Sequence, residues 1–236
     1  MTVARPVIGI IGAGRLGMVL ARLATRAGYQ VLIAASGDPK RIALADDVLA
    51  EGATATTALD AAERADVVIL ALPFRRYRAI PADALAGKLV IDATNYWWEA
   101  DGLLEEFRDP LTSSSELLQG HLRGSRVVKA FNHMSYADLG DEARPPGQPG
   151  RKAIGIAGND ADDVNTVAAL VDDLGFDPVA AGTLADGVRL EPGTDPFGAD
   201  VDARELQDMI DGFPSSQSGL RRAAASAARH PSASDE

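Results

Sequence analysis

The sequence predicts a doubly wound α/β fold built on a mostly parallel sheet, and three observations carry that expectation. A short apolar run, Val7-Ile8-Gly9-Ile10-Ile11, passes straight into the glycine-rich turn Gly12-Ala13-Gly14-Arg15-Leu16-Gly17 and then into residues with helical periodicity. Further apolar runs recur at intervals with helical patterns between them, which implies right-handed crossovers. One of these runs, Asp66-Val67-Val68-Ile69-Leu70-Ala71-Leu72-Pro73, is apolar without alternation, as a central strand buried on both faces must be.

The first unit sets the pattern. Gly12 permits a tight exit from the strand, Gly14 leaves room for backbone to approach a pyrophosphate, and Gly17 lets the helix pack closely on the strand. Leu16, Leu20, Leu23 and Ala27 share a helical face, and Gly28 supplies the stop. The turn Gly12, Ala13, Gly14, Arg15, Leu16 and Gly17 is therefore assigned to a dinucleotide, held at the positive end of the helix. A second strand spans residues 30–35, and its end decides the cofactor. Ala34, Ala35 and Ser36 stand where a carboxylate would hold a ribose 2′-hydroxyl. Ser36, Lys40 and Arg41 suit a 2′-phosphate, so NADP is favoured over NAD. Asp38 either returns to the ribose or, with Pro39 behind it, caps the next helix.

Later units repeat the grammar. A helix around Ile42 to Leu49 ends at Gly52, a short strand occupies residues 53–56, and a small helix covers residues 58–65. Strands at residues 88–95 and 125–133 complete the main sheet. Leu72, Pro73, Thr94, Asn95 and Ala130 lie at carboxyl ends of strands, where open α/β sheets bind ligands, and are assigned to the cofactor. Ser113 to Glu116 open a helix over Leu117 to Leu122. After His133 come a proline- and glycine-rich loop, a strand at residues 152–158, a helix capped by Asn159 or Asp160, and a strand from Phe176. The expected division is a dinucleotide-binding Rossmann domain at 1–135, a small C-terminal α/β appendage for substrate or dimerisation at 136–213, and a flexible tail at 214–236, where serine, alanine and arginine lack apolar periodicity.

Composition narrows function. A net charge of −11 disfavours nucleic acid and anionic membrane surfaces. The absence of cysteine removes thiolate chemistry and disulfides, and three histidines, His121, His133 and His230, are too scattered for a zinc site. No apolar run approaches a membrane span and no leader is apparent, so a cytoplasmic protein is expected. Asn132 and His133, just past a central strand, are the candidate catalytic residues; His133 either touches a reacting ring or is a satisfied loop histidine. Tyr96-Trp97-Trp98 is either an aromatic wall beside a planar ligand or a loop packed on its own sheet or a partner subunit. Arg75, Arg76 and Arg78 either meet an anionic tail or form a solvated helix face.

The opening turn, Leu72-Pro73, Val90-Ile91-Asp92-Ala93-Thr94-Asn95, Val128-Lys129-Ala130-Phe131-Asn132 and the stretch from Gly182 to Pro192 resemble the NADPH-dependent coenzyme F-420 reductases over about residues 6 to 193. The Tyr96-Trp97-Trp98 insertion and His133 depart from that pattern. The resemblance implies hydride transfer between NADP(H) and an 8-hydroxy-5-deazaflavin, coenzyme F-420, as second substrate, in a homodimer. Such a transfer needs two rings about 3–3.5 Å apart with water excluded, and the cofactor carries the chemistry. The alternatives are an NADPH-dependent reductase of an imine or small carbonyl compound, which usually needs a larger helical C-terminal domain, and a non-catalytic NADP-binding redox sensor.

Overall fold

A computed structural model describes residues 5–35 and 52–229. The first elements are β1 (Ile8–Ile11), α1 (Arg15–Arg26) and β2 (Val31–Ala34), followed by β3 (Ala53–Thr56), α2 (Ala58–Arg64) and β4 (Val67–Leu70). Two 3₁₀ segments, Phe74–Ala79 and Ala82–Leu85, lead to β5 (Leu89–Asp92). Next come α3 (Trp98–Asp101), a 3₁₀ turn Glu105–Arg108, α4 (Ser114–His121) and β6 (Arg126–Lys129). The C-terminal part holds α5 (Tyr136–Asp141), β7 (Ala153–Gly158), α6 (Ala161–Asp173), β8 (Asp177–Gly182), a 3₁₀ segment Leu184–Leu190, α7 (Ala203–Gly212), a 3₁₀ turn Phe213–Ser215 and α8 (Gln217–Arg229).

One eight-stranded sheet runs β3-β2-β1-β4-β5-β6-β7-β8. Every neighbouring pair is parallel except β6 with β7. This is the doubly wound Rossmann arrangement, and the direction of strand addition reverses at β1 and β4, which opens a crevice above their carboxyl ends. The C-terminal part is continuous with the main sheet, since β7 joins the edge at β6 and β8 follows it. Strands β1, β2, β4 and β5 are buried throughout, which explains their unbroken apolar character. On one face Leu20, Leu23, Ile69, Ile91, Val171 and Phe176 form the core. On the other, Phe74, Tyr77, Leu85, Leu118 and Leu122 close over Val90 and Val127. Each fully buried large side chain contributes roughly 1.5–3 kcal/mol.

Local chemistry sets the element ends. Gly28, at φ +86°, turns the chain out of α1. Ser113 caps α4 in a reciprocal box, accepting from the Glu116 amide while Glu116 accepts from the Ser113 amide. Asp160 caps α6 by accepting from the Asp162 and Asp163 amides. Between β4 and β5, where a helical crossover is expected, Pro73 and Pro81 delimit two short 3₁₀ segments instead.

The flexible tail read at 214–236 is corrected over Gln217–Arg229, which is the helix α8. Its alanines and arginines are strong helix formers, and only Gly219 is buried, so no apolar stripe announces it. Arg222 donates to the Pro110 carbonyl and Arg229 pairs with Asp109, tying the helix to the loop before α4. No helix of the described residues is long and apolar enough to cross a membrane.

Candidate functional site

The glycine turn is built as its spacing demands. Gly12 sits at φ +126°, where a Cβ would overlap the Ala71 carbonyl. A Cβ on Gly17 would overlap the Gly12 carbonyl, so helix and strand can meet only with glycine there. Gly14 is different: it lies at φ −82° with nothing within 4 Å of a built Cβ. It is the N-cap of α1 and caps with no side chain, leaving the first-turn amides open toward that space.

Two clefts meet at this turn. The first, of about 380 Å³, is walled by Ile11, Ala34, Ala35, Ala71, Leu72 and Pro73, with Arg76, Ile80 and Pro81 at its far side. The second, of about 470 Å³, lies between α1 and α5 and is lined by Arg15, Met18, Val19, Arg22 and Tyr136. Ala13 and Gly14 line both. In the second cleft the Arg15 guanidinium lies 5.4 Å from the Tyr136 ring centre and donates to its hydroxyl at 2.5 Å. Arg22 Nε is buried there without a hydrogen-bond partner.

Beyond the crevice the sheet edge is polar but closed. Asn132 is 3% exposed, and its Nδ2 donates to Asn95 Oδ1 at 3.0 Å and to the Leu190 carbonyl at 2.7 Å. Asn95 Nδ2 answers with a bond to the Asn132 carbonyl at 2.7 Å, while Asn132 Oδ1 is buried and unpartnered. Phe131, just before it, has φ +63°, the one non-glycine residue of positive φ among the described residues. Strain of this kind marks positions that the surroundings over-determine. Lys129 is fully buried, with Nζ 3.1 Å from the hydroxyls of Ser114 and Ser115 and 3.3 Å from Asp92 Oδ2.

His133 is corrected as a catalytic candidate. It is 1% exposed, its Nε2 accepts the Gly155 amide at 2.9 Å, and its Nδ1 donates to the Pro196 carbonyl at 3.2 Å. Those bonds fix the tautomer and leave no nitrogen for a ligand. Burial holds its pKa down at about 4, against a smaller opposing effect of the Pro196 bond, so it is neutral near pH 7. The ring fastens the segment 191–198 across the ends of β5 and β6, helped by the Gly198 amide on the His133 carbonyl.

Of the residues assigned to the cofactor, Gly12, Ala13, Gly14, Leu72 and Pro73 come together at the first cleft and Arg15 stands on the second, Leu16 and Gly17 line neither, and Ser36, Lys40 and Arg41 lie outside the described residues. Thr94 and Ala130 line neither cleft: the Thr94 hydroxyl donates to Asp92 Oδ1, and Ala130 is fully buried. Asn95, half-buried, is the polar side chain that ties the two strand ends together. Tyr96 stacks on Phe107 at 3.8 Å and Trp97 meets Phe197 edge-on at 5.3 Å, so these two pack on the protein itself, while Trp98 is 61% exposed. The arginine cluster divides. Arg78 pairs with Glu106, and Arg76 stands on the cleft wall. Sequence reading missed Arg22, although Arg15, Met18 and Arg22 stand at i, i+3 and i+7 on one face of α1. It also missed Tyr136 and the polar surroundings of Lys129; a lysine inside a buried strand was the available signal.

The family described as NADP oxidoreductase coenzyme F420-dependent matches residues 7–96, the stretch that holds the glycine turn and the first cleft. A hypothetical protein from Sinorhizobium meliloti of known structure is 32% identical, with 84% of this chain and 95% of that one covered and a TM-score of 0.74. A protein from Arthrobacter sp. FB24, provisionally assigned as an F420-dependent NADP reductase, is 26% identical, with 78% and 88% covered and a TM-score of 0.66. The metalloreductase STEAP3 of Rattus norvegicus is 29% identical over 188 residues, covering 79% of this chain and 36% of its own length. The chain spans between 36% and 56% of the curated relatives it matches.

Proposed function

The chain belongs to the family of coenzyme F-420-dependent NADP oxidoreductases, and from that premise we propose that it transfers a hydride between NADP(H) and an 8-hydroxy-5-deazaflavin such as coenzyme F-420. The observation that carries the reading is the open space at Gly14, above the uncapped end of α1 and between two clefts that both include it.

The residues fit a dinucleotide. The alanine, leucine and proline wall of the first cleft suits an adenine ring, with Arg76 beside it. The amides of the first turn of α1 face the pyrophosphate position, where the helix dipole favours negative charge. NADP(H), when bound, supplies the hydride. The second cleft suits the second ring system: Met18, Val19 and Tyr136 offer apolar and aromatic surface, and Arg15 and Arg22 offer charge to an anionic tail. In a protein of net charge −11, two arginines in one cleft also counter the general repulsion of anions. Asn132 Oδ1 is the free acceptor for a ring amide. Transfer between two rings asks the protein to align them and exclude water, and the closed edge formed by Asn95, Asn132 and residues 191–198 does the second.

A second reading rests on Tyr136. Reduction of an imine or carbonyl compound needs a proton donor, and a phenol beside an arginine in the second cleft is one. The test mixes the full chain with NADPH and oxidised coenzyme F-420 and follows the deazaflavin absorbance. Bleaching with matched NADPH oxidation is expected. An unchanged deazaflavin, with NADPH consumed by cyclic imines or small ketones, would transfer the assignment to the second reading.

A further inference from the structure

The buried lysine of β6 lines neither cleft, yet it sits at the centre of the closed edge. Lys129 Nζ lies 3.3 Å from Asp92 Oδ2, 3.4 Å from the Thr94 carbonyl, 3.1 Å from each of Ser114 Oγ and Ser115 Oγ, and 4.0 Å from Glu191 Oε1. Asp92 is fully buried and Glu191 is partly buried, 17% exposed, and the two carboxylates converge on one cation. Ser115 donates to Asp92 at 2.6 Å, and Ser114 donates to Glu191 through both its amide at 2.8 Å and its hydroxyl at 2.7 Å. The group therefore joins β5, β6 and the start of α4 to Glu191.

Glu191 follows Leu190, whose carbonyl receives Asn132 Nδ2. Ser113 Oγ donates to the Leu184 carbonyl at the other end of the same 3₁₀ segment, so Leu184–Leu190 is pinned at both ends by α4. With Nδ2 held by Leu190 and Asn95, the Asn132 amide has one orientation, and its Oδ1 is left buried and unpartnered. An unsatisfied buried acceptor is costly and calls for a donor.

We propose that Lys129 is a positioning residue for hydride transfer: by holding Asp92 and Glu191 together it fixes the Leu190 carbonyl, and through it the Asn132 amide whose Oδ1 receives the amide N–H of a reacting ring. The proposal rests on the reading of the site as a hydride-transfer centre. Without the ammonium, two carboxylates share the space around Ser114 and Ser115, and their repulsion moves Glu191 and Leu190 away from β6. The other charged groups on the elements packed there are bound elsewhere: Glu116 to the Ser113 amide, and Asp186 to Thr183 and Arg189.

The experiment compares wild type, Lys129→Met and Lys129→Met/Glu191→Gln as full chains. Three quantities are read: NADPH affinity, kcat with coenzyme F-420 between pH 6 and 8, and solvent exchange of the Asn132 side-chain amide by NMR. Lys129→Met is expected to bind NADPH within about twofold of wild type and to lose about tenfold or more in kcat, the scale of a small misplacement in a reacting pair. Its Asn132 amide should exchange faster, and Glu191→Gln should restore most of both the lost kcat and the slow exchange. Unchanged kcat and exchange, or a kcat loss that Glu191→Gln leaves in place, would overturn the proposal. If Lys129→Met does not fold, Ser114→Ala severs the hydroxyl link between Nζ and Glu191; it should lower kcat several-fold and speed Asn132 exchange, and the absence of both would overturn it. The NMR readout needs no substrate. A wild type that leaves F-420 unreduced while Lys129→Met still frees the Asn132 amide would refute the hydride-transfer reading and leave the positioning of Asn132 standing.

Discussion

The two halves of the sheet's carboxyl edge are made of opposite materials. Over β1, β2 and β4 the edge is open, its surface comes largely from backbone, alanine, leucine and proline, and a helix end points into it uncapped. Over β5 and β6 the edge is shut, and it is lined by Asp92, Lys129, Asn132 and His133, each 3% exposed or less and each hydrogen-bonded. The open half can accept a large ligand because it offers shape and unpaired amides. The closed half can hold a geometry because almost every polar atom already has a partner, and one left without, Asn132 Oδ1, is where a ligand is called for. Binding and positioning are thus separable, and substitutions in each half should separate them.

The largest effect is expected in the open half. Gly14→Val places a branched side chain in the space kept for a pyrophosphate, while the extended backbone and empty surroundings tolerate it. NADPH affinity should fall about a thousandfold, roughly 4 kcal/mol, with the melting temperature unchanged. Calorimetric titration beside thermal unfolding measures both, and normal binding would dissolve the distinction between the halves.

In the closed half the pH dependence of stability should reveal His133. Its pKa is about 6.5 unfolded and about 4 folded, so the unfolded chain binds the extra proton between those values. Its contribution is fully present above pH 6.5 and is lost as pH falls toward 4, for a total of about 3 kcal/mol. Denaturant unfolding of wild type and His133→Gln across that range should show a steeper slope in wild type, the carboxylates held below their usual range contributing equally to both. Equal slopes would mean that the ring is not held as its bonds indicate. NADPH affinity at pH 7.5 should differ little between the two.

A smaller effect is expected at Ser113, which caps α4 and also holds Leu184. Ser113→Ala should cost about 1 kcal/mol in stability, and kcat should fall while NADPH affinity stays put. Loss of affinity instead would show that the halves communicate more than their separate hydrogen bonds suggest.

The open half was legible in the sequence because its geometry admits few alternatives. A carbonyl overlap at Gly12 and at Gly17 excludes every other residue, so the glycines announce the turn, and strands buried on both faces announce themselves as continuous apolar runs. The closed half was not legible, because its bonds join residues far apart in the chain: Asn132 to Leu190, Ser114 to Glu191, His133 to Pro196. Local pattern carries no information about such pairs. His133 looked chemically able for the same reason, since type and position are visible in sequence whereas the partners of its two nitrogens are not. The helix α8 escaped notice because its stability is a matter of propensity and two arginine anchors rather than of an apolar face.

The central claim is that the hydride passes directly between two rings across this edge. NADPH carrying deuterium at its transferable C4 position, mixed with the full chain and oxidised coenzyme F-420, tests it most directly by mass spectrometry of the reduced product. One deuterium is expected in the reduced deazaflavin and none exchanged with water. Reduced deazaflavin without the label, or no reduced deazaflavin at all, would contradict it.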